Sequence, residues 1–172
     1  MAIRLGSKSD LAYAYRASAK LAMGDPEGAR RDVKTALGIN ENSAYAWLIQ
    51  GDIKLTSKYY KAAISDYDRS IRLDPSNYLT FYNRGVALER INRRQEAVYS
   101  YTQSININPI NYYAYTNKAN ILFEMNNRRE ACNAYKEAIR IANDYPSRSF
   151  AVKAIKLREW INSRGGAWCK NQ

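Results

Sequence analysis

The stretch Tyr78–Asn111, YLTFYNRGVALERINRRQEAVYSYTQSININPIN, decides the fold. The sequence matches itself in step when this stretch is moved by 34 residues toward either end, which gives the units 10–43, 44–77, 78–111 and 112–145 without insertions. An internal repeat of this period is typical of stacked helical pairs, because one such unit cannot bury its apolar face alone.

Several columns recur at the same register in the four units, and their spacings of three, four and seven residues place them on one face of a helix. Small residues let two helices approach closely, and aromatic residues fill the space beside them. The aromatic column is Tyr13, Trp47, Phe81 and Tyr115; the first small column is Ala17, Gly51, Gly85 and Ala119; an alanine column follows at Ala29, Ala63, Ala97 and Ala131; and the large column is Val33, Tyr67, Tyr101 and Tyr135.

These columns resemble the tetratricopeptide repeat family. The resemblance implies an all-α fold, a right-handed α-α superhelix of helix-turn-helix repeats. Two columns depart from the family pattern: its leucine before the glycine is replaced by Arg16, Gln50, Arg84 and Lys118, and its following aromatic by Lys20, Lys54, Leu88 and Leu122. The form Asn83-Arg84-Gly85 looks like a bacterial variant, and the ending Gly166-Ala167-Trp168-Cys169 is similar to small repeat proteins of cyanobacteria, where it suggests complex assembly.

The predicted organisation is a lead over residues 1–9, four repeats over 10–43, 44–77, 78–111 and 112–145, a C-terminal capping helix over 146–163 and a tail over 164–172. The capping helix is expected because Phe150, Ala154, Leu157 and Ile161 share one face and a terminal repeat needs cover. No equivalent element precedes the first repeat, which suggests a longer array or a contact made by that repeat.

The net charge of +11 is unevenly distributed: the repeats carry 0, +1, +2 and +1, whereas residues 146–172 carry +5. The paired arginines Arg93-Arg94 and Arg128-Arg129 lie at nearly the same place in their repeats, with Arg30-Arg31 near the corresponding place of the first repeat, and they could follow a phosphate backbone. Nearby acids weaken this stripe, so solvated charge is the favoured interpretation and nucleic acid is an unfavoured partner.

The two cysteines show neither metal spacing nor a redox pair. Cys132 is expected to be a small buried residue and Cys169 a free thiol. With no apolar run near 18 residues and no signal peptide, we expect no membrane span and a cytoplasmic location.

Catalysis has no support in the sequence. The chain contains no histidine, the commonest general base and metal ligand, and neither a phosphate-binding loop nor a nucleophile motif is present. Asp66 and Asp68, two residues apart on a helix, are interpreted as surface charge. The sequence therefore predicts no enzyme activity, no cofactor and no metal site.

The family resemblance implies that the first helix of each repeat lines a concave groove. Stacked amides can pair with the backbone of an extended peptide, and tyrosines can form side-chain pockets. The predicted groove residues are Tyr15, Tyr45, Leu48, Ile49, Asp52, Tyr82, Asn83, Val86, Tyr113, Thr116, Asn117, Asn120 and Phe123. A basic clamp for acidic chaperone C-termini is absent from the corresponding positions, so no tight binding to such C-termini is expected.

The predicted function is a non-enzymatic scaffold or adaptor that holds a peptide or helix of a partner protein in this groove. Two alternatives stay open. The first is a self-associating assembly or chaperone module that uses its uncapped N-terminal repeat as a homo-oligomer interface. The second is a nucleic-acid binder that uses the basic stripe and the basic C-terminal residues.

Overall fold

A computed structural model describes residues 9–145 together with residues 155, 159 and 169. Apart from Ser9, Ile155, Glu159 and Cys169, the predicted lead (1–9), capping helix (146–163) and tail (164–172) lie outside the described residues. The chain divides into two compact units, Met1–Arg93 and Arg94–Gln172.

The described part of the chain is helical and contains no strand, so the predicted all-α class is confirmed. The first unit holds five helices: α1 (Asp10–Ala22), α2 (Pro26–Ile39), α3 (Ala44–Thr56), α4 (Tyr60–Leu73) and α5 (Tyr78–Arg90). The second unit holds α6 (Arg94–Ile107), α7 (Tyr112–Glu124) and α8 (Arg128–Asp144). In the first unit α1 packs on α2, α3 on α4 and α4 on α5; in the second, α7 packs on both α6 and α8.

The turn after each odd-numbered helix uses one residue with positive φ, and these residues are 34 positions apart. They are Gly24 (81°), Lys58 (64°), Asn92 (62°) and Asn126 (62°). The next amide then donates to a carbonyl five residues back, as Tyr59 N does to Lys54 O at 2.8 Å. This pattern satisfies carbonyls that the end of a helix would otherwise leave unpaired. Lys58 lacks both the freedom of glycine and the tolerance of asparagine for this conformation.

Side-chain caps begin several of the helices. Asp25 Oδ1 accepts a hydrogen bond from Gly28 N at 2.7 Å, and Asn77 Oδ1 accepts one from Leu79 N at 3.0 Å. Pro26 occupies the first position of α2, where its missing amide hydrogen has no cost. These caps fix where the second helix of one repeat and the first helix of another begin.

Close packing between paired helices depends on the small column. A Cβ added to Gly51 would lie 2.5 Å from Cε1 of Tyr67, whose side chain is fully buried. The tyrosine ring therefore occupies the space that a methyl group on α3 would need. This contact explains why a glycine stands opposite a tyrosine in the second repeat.

The basic residues that depart from the family pattern hold buried aspartates. Asp32 Oδ1 and Oδ2 accept hydrogen bonds from the guanidinium of Arg16 at 2.5 and 2.7 Å, and Oδ2 also pairs with Lys20 Nζ at 2.8 Å. Burial alone would raise the pKa of Asp32, but the hydrogen bonds from Arg16 and Lys20 outweigh it, and the pKa is lowered. Asp32 is therefore a buried anion neutralised by the first helix of its own repeat.

The second repeat repeats this arrangement at Asp66, and the interpretation of Asp66 as surface charge was wrong. The Asp66 side chain is 6% exposed, with Lys54 Nζ 2.6 Å from Oδ2 and Gln50 Nε2 3.3 Å from Oδ1. Burial raises the pKa of Asp66, and the hydrogen bonds from Lys54 and Gln50 oppose that shift. Asp68 is also paired, because Arg84 Nε donates to its Oδ1 at 2.7 Å.

Two columns of the repeat, the one that begins at Lys20 and the one that begins at Asp32, change together along the chain. Where the first column has lysine, the second has aspartate; where the first has leucine, the second has a small uncharged residue. The pairs are Lys20 with Asp32, Lys54 with Asp66, Leu88 with Ser100 and Leu122 with Ala134. Burying an aspartate without its cation would cost several kcal/mol, so charge and its absence are matched within each repeat.

Candidate functional site

In the first unit the odd-numbered helices contact one another, α1 with α3 and α3 with α5. Tyr15 of α1 and Tyr45 of α3 bring their rings together, with centroids 4.7 Å apart at an interplanar angle of 42°. Tyr15 is 60% exposed and Tyr45 is half-buried. The two rings form an aromatic surface that a side chain from another molecule can contact.

The half-buried carboxylate of Asp52 joins α3, α4 and α5. Asp52 Oδ1 on α3 accepts a hydrogen bond from Tyr67 Oη of α4 at 2.8 Å and another from Asn83 Nδ2 of α5 at 2.7 Å. Asn83 was predicted as a free amide for peptide binding, but its amino group already holds the carboxylate of the neighbouring repeat. Its carbonyl oxygen has no partner in the described hydrogen bonds.

Burial and hydrogen bonding shift the pKa values of Asp52 and Tyr67. Burial raises the pKa of Asp52 to about 6, although the hydrogen bonds from Tyr67 and Asn83 favour the carboxylate. Burial and the neighbouring Asp52 also raise the pKa of Tyr67. Tyr67 therefore remains a hydrogen-bond donor, whereas Asp52 changes charge near pH 6.

Two of the predicted groove residues are core residues. Leu48 and Ile49 are 2% and 3% exposed, so neither offers a surface to a partner. The family resemblance implied that they line the groove, but the width of the buried stripe depends on the packing of neighbouring helices. Tyr82 and Val86 of α5 are half-buried.

The second unit presents a related set on α7. Tyr113 is 42% exposed, and its ring centroid lies 5.5 Å from that of Tyr112 in an edge-to-face arrangement. Thr116, Asn117 and Phe123 are half-buried. Asn117 Nδ2 donates to Tyr101 Oη at 3.3 Å. The exposed Asn120 accepts a hydrogen bond from Tyr135 Oη at 2.7 Å, as Asp52 does from Tyr67 in the same two columns two repeats earlier. Both predicted groove amides thus have a structural role as well.

The repeated arginines are engaged locally. Arg30 pairs with Glu27, and Arg94 Nε lies 3.2 Å from Glu124 Oε2. The Arg128 guanidinium lies over the Phe123 ring, 5.7 Å from its centroid. These contacts neutralise or occupy one arginine of each pair, which weakens the stripe as a phosphate-binding surface.

The prediction of a free thiol at Cys169 was wrong. Cys169 forms a disulfide with Cys132 across 37 positions of sequence, with Cα atoms 5.5 Å apart. Burial of Cys132 was predicted and is observed, with 1% of the residue exposed. The spacing of the two cysteines gave no signal for this pair, because Cys169 lies outside the repeat columns.

Neither a metal centre nor a membrane span is found in the part of the chain that the structure describes. No group of three or more cysteine or acidic side chains there is arranged to hold a metal ion. Among those residues, no helix has the length and apolar character needed to cross a bilayer.

The fold defines a class, the helical-repeat proteins built from helix-turn-helix units. Family models described as tetratricopeptide repeat match residues 16–78 and 112–145, together more than half of the chain. The chain belongs to the tetratricopeptide repeat family. The resemblance to cyanobacterial proteins in particular stays a prediction.

A curated relative supports the same family. The chain is 32% identical over 59 residues to the STIP1 homolog of Dictyostelium discoideum, a match that covers 34% of this chain and 10% of that protein. The match therefore spans about a tenth of the relative, whose activities do not transfer as a whole.

Solved structures share the fold at low identity. PilF of Pseudomonas aeruginosa has a TM-score of 0.75 at 22% identity, covering 90% of this chain and 72% of that one. MamA from Desulfovibrio magneticus RS-1 has a TM-score of 0.71 at 14% identity, with 84% and 81% covered. At these identities the likeness establishes the fold alone.

Proposed function

We propose that the chain is a scaffold or adaptor that binds an extended peptide or a helix of a partner protein on the exposed faces of its odd-numbered helices. The observation that carries the proposal is the Tyr15–Tyr45 surface, where two rings 4.7 Å apart remain accessible on adjacent helices. Exposed aromatic side chains at rigid positions are frequent anchors in protein interfaces.

Polar groups beside the aromatic surface would orient the bound segment. In the first unit, the carbonyl oxygen of Asn83 can accept a backbone N–H of the partner while its amino group holds Asp52. Asp52 itself favours a partner with an N–H donor or a cationic side chain above pH 6, where the carboxylate is ionised. In the second unit, Tyr113 and the exposed Asn120 provide the same combination of ring and amide.

A pull-down with two matched variants tests this proposal. Tyr15→Ala/Tyr113→Ala removes one exposed ring from the proposed binding face of each unit. Tyr59→Ala/Tyr99→Ala removes one from each unit elsewhere, at residues 66% and 60% exposed. Loss of the same partner with the first variant, and its retention with the second, supports the proposal. Equal retention by both folded variants excludes the surface.

The two alternative functions have their own signatures. Homo-oligomer formation through the N-terminal repeat predicts a mass that rises with concentration in sedimentation equilibrium, and a constant monomer mass excludes it. Nucleic-acid binding predicts an affinity that falls steeply with salt, because phosphate contacts release counterions. An affinity unchanged between low and physiological salt excludes phosphate contacts as its basis.

The predicted cytoplasmic location stays a proposal. The pairing of Cys132 with Cys169 counts against it, because stable disulfides are rare in a reducing compartment. Alkylation of thiols in intact cells, followed by mass spectrometry of the peptides that contain these two cysteines, tests the location. Two alkylated cysteines are the result expected in the cytoplasm, and a linked pair contradicts it.

A further inference from the structure

An open cavity of about 460 Å³ lies in the first unit, where α1, α3 and α5 begin. The rings of Tyr15 and Tyr45, whose centroids are 4.7 Å apart, form part of its wall. The side chains of Asp10, Ser43 and Asp74 also line it. The cavity therefore joins the exposed aromatic surface to a set of polar groups, including two carboxylates.

The carboxylates of Asp10 and Asp74 give this cavity a negative charge. None of the described residues that line it is a lysine or an arginine. Arg69 contacts one lining residue, Asn42, whose Oδ1 accepts a hydrogen bond from Nη2 at 3.3 Å. In a chain with a net charge of +11, the cavity is therefore a local site that attracts cations.

The groups beside Asp10 keep it ionised and leave one hydrogen bond unmade. The Ser43 hydroxyl and the Asn40 amide lower the pKa of Asp10, and Asn40 Nδ2 donates to Asp10 Oδ2 at 3.1 Å. Ser43 is 3% exposed, yet its Oγ has no partner of good hydrogen-bond geometry among the described residues. A buried polar atom without such a partner costs free energy. An N–H group of a ligand in the cavity would remove that cost.

The turn that contains Asp74 does not require a charged side chain. Asp74 Oδ1 accepts a hydrogen bond from Ser76 N at 2.9 Å. Asparagine occupies this column in the repeats before and after, as Asn40 and Asn108, and its side-chain oxygen accepts the corresponding bond from the amide two residues on. An asparagine would serve the turn equally well, so the carboxylate of Asp74 adds a charge that the turn does not need.

We propose that this cavity binds an arginine side chain of the partner segment, next to the residue that packs on Tyr15 and Tyr45. The inference rests on the function proposed above and names the chemistry of the partner. A guanidinium group is planar, remains charged at physiological pH and donates several hydrogen bonds. It can pair with carboxylates while it lies against an aromatic ring, a combination that the ammonium group of lysine matches less well. The partner segment should therefore carry an arginine beside an apolar or aromatic residue.

NMR titration of the isotope-labelled full chain with N-acetylarginine amide tests the site before any partner is known. N-acetylcitrulline amide is the matched probe, because a neutral urea replaces its guanidinium at nearly the same shape. We expect the arginine probe to shift the backbone amides of the lining residues Leu11, Ala44 and Asn77 in a saturable way at millimolar concentration. The citrulline probe should bind at least about fivefold more weakly.

Two variants of equal net charge show whether the carboxylates are responsible. Asp10→Asn/Asp74→Asn removes both charges and keeps side-chain oxygens that can accept the same hydrogen bonds, and it should weaken the arginine probe at least about fivefold. Glu27→Gln/Glu137→Gln removes two exposed carboxylates elsewhere and should change the affinity by less than about twofold.

Either of two results would overturn the site. One is equal affinity for the arginine and citrulline probes. The other is an affinity for the arginine probe that Asp10→Asn/Asp74→Asn leaves within about twofold of the original value. If this double variant fails to fold, the comparison of the two probes decides alone.

The pull-down distinguishes failure of this site from failure of the proposed function. Loss of the partner with Tyr15→Ala/Tyr113→Ala, but not with Asp10→Asn/Asp74→Asn, contradicts the arginine site and leaves the adaptor function standing. Loss with both supports the site. Retention by both folded variants excludes the aromatic surface, and with it the role of the cavity in holding the partner.

Discussion

The Lys54–Asp66 pair gives the sharpest prediction about stability, because the chain itself supplies the replacement. The third repeat has Leu88 and Ser100 in the same two columns. We therefore compare Lys54→Leu, Asp66→Ser and the double variant with the original chain. The double variant transplants the uncharged combination of one repeat into another, and so tests whether the two columns are energetically coupled.

The expected size follows from distance and burial. Two unit charges 2.6 Å apart attract by about 6 kcal/mol at an effective dielectric constant near 20. Removing each ion from water costs several kcal/mol, so the pair as a whole contributes little. Lys54→Leu leaves the 6% exposed Asp66 without its cation and should cost about 3 kcal/mol. Asp66→Ser should cost about 1 kcal/mol, because Lys54 can extend its ammonium group to water.

Urea unfolding followed by far-UV circular dichroism measures the free energy of unfolding of the four proteins. The double variant should be within about 1 kcal/mol of the original chain, which gives a coupling energy of about 3 kcal/mol.

The pH dependence of the free energy of unfolding adds a second readout. Lys54→Leu should raise the pKa of Asp66 further, so its free energy of unfolding should fall more steeply as pH rises above 4. Additive single effects, with the double variant the least stable, would refute the reasoning.

Three further comparisons test the packing, the turn and the half-buried carboxylate of Asp52, each by urea unfolding. Gly51→Ala should lower the free energy of unfolding by about 1–3 kcal/mol, because the added methyl group would clash with the Tyr67 ring. Gly38→Ala is the control: an added Cβ there has nothing within 4 Å, so this variant should raise the free energy of unfolding by about 0.5–1 kcal/mol. Equal effects of the two variants would contradict the Gly51–Tyr67 contact. Lys58→Asn should stabilise by about 0.5 kcal/mol, since φ is 64° there, and a destabilisation would show that its lysine has another role. Asp52, with its pKa raised to about 6, contributes stability that is present below pH 4 and lost as pH rises through 6. Asp52→Asn should remove that loss and be about 1–2 kcal/mol more stable than the original chain at pH 8; an unchanged pH profile would contradict the assignment.

Much of the fold could be predicted because its determinants recur in the sequence. Four units in one register specify the helices, their paired faces and the small residues between them. The buried aspartates were missed because a lone aspartate on a helix is usually at the surface. Their signal was the joint change of Lys54 and Asp66 to Leu88 and Ser100, visible only when repeats are compared as if they were related sequences.

The candidate site was predicted less completely. Column position assigned these residues to one predicted groove, but it could not distinguish the buried Leu48 and Ile49 from the exposed Tyr15, because that boundary depends on the packing of neighbouring helices. The hydrogen bond between Asn83 and Asp52 could not be predicted either, because it depends on the distance between two helices in different repeats. The disulfide of Cys132 could not be predicted because its partner, Cys169, lies outside the repeats.

We propose that partner proteins bind on the exposed aromatic surface formed by Tyr15 and Tyr45. The most direct measurement is calorimetric titration of the partner segment identified by the pull-down into the original chain, Tyr15→Ala and Tyr59→Ala. The proposal predicts that Tyr15→Ala weakens binding by at least about tenfold, the loss typical of an anchor residue, and that Tyr59→Ala changes it by less than about twofold. Affinities for the three proteins that agree within about twofold would contradict it.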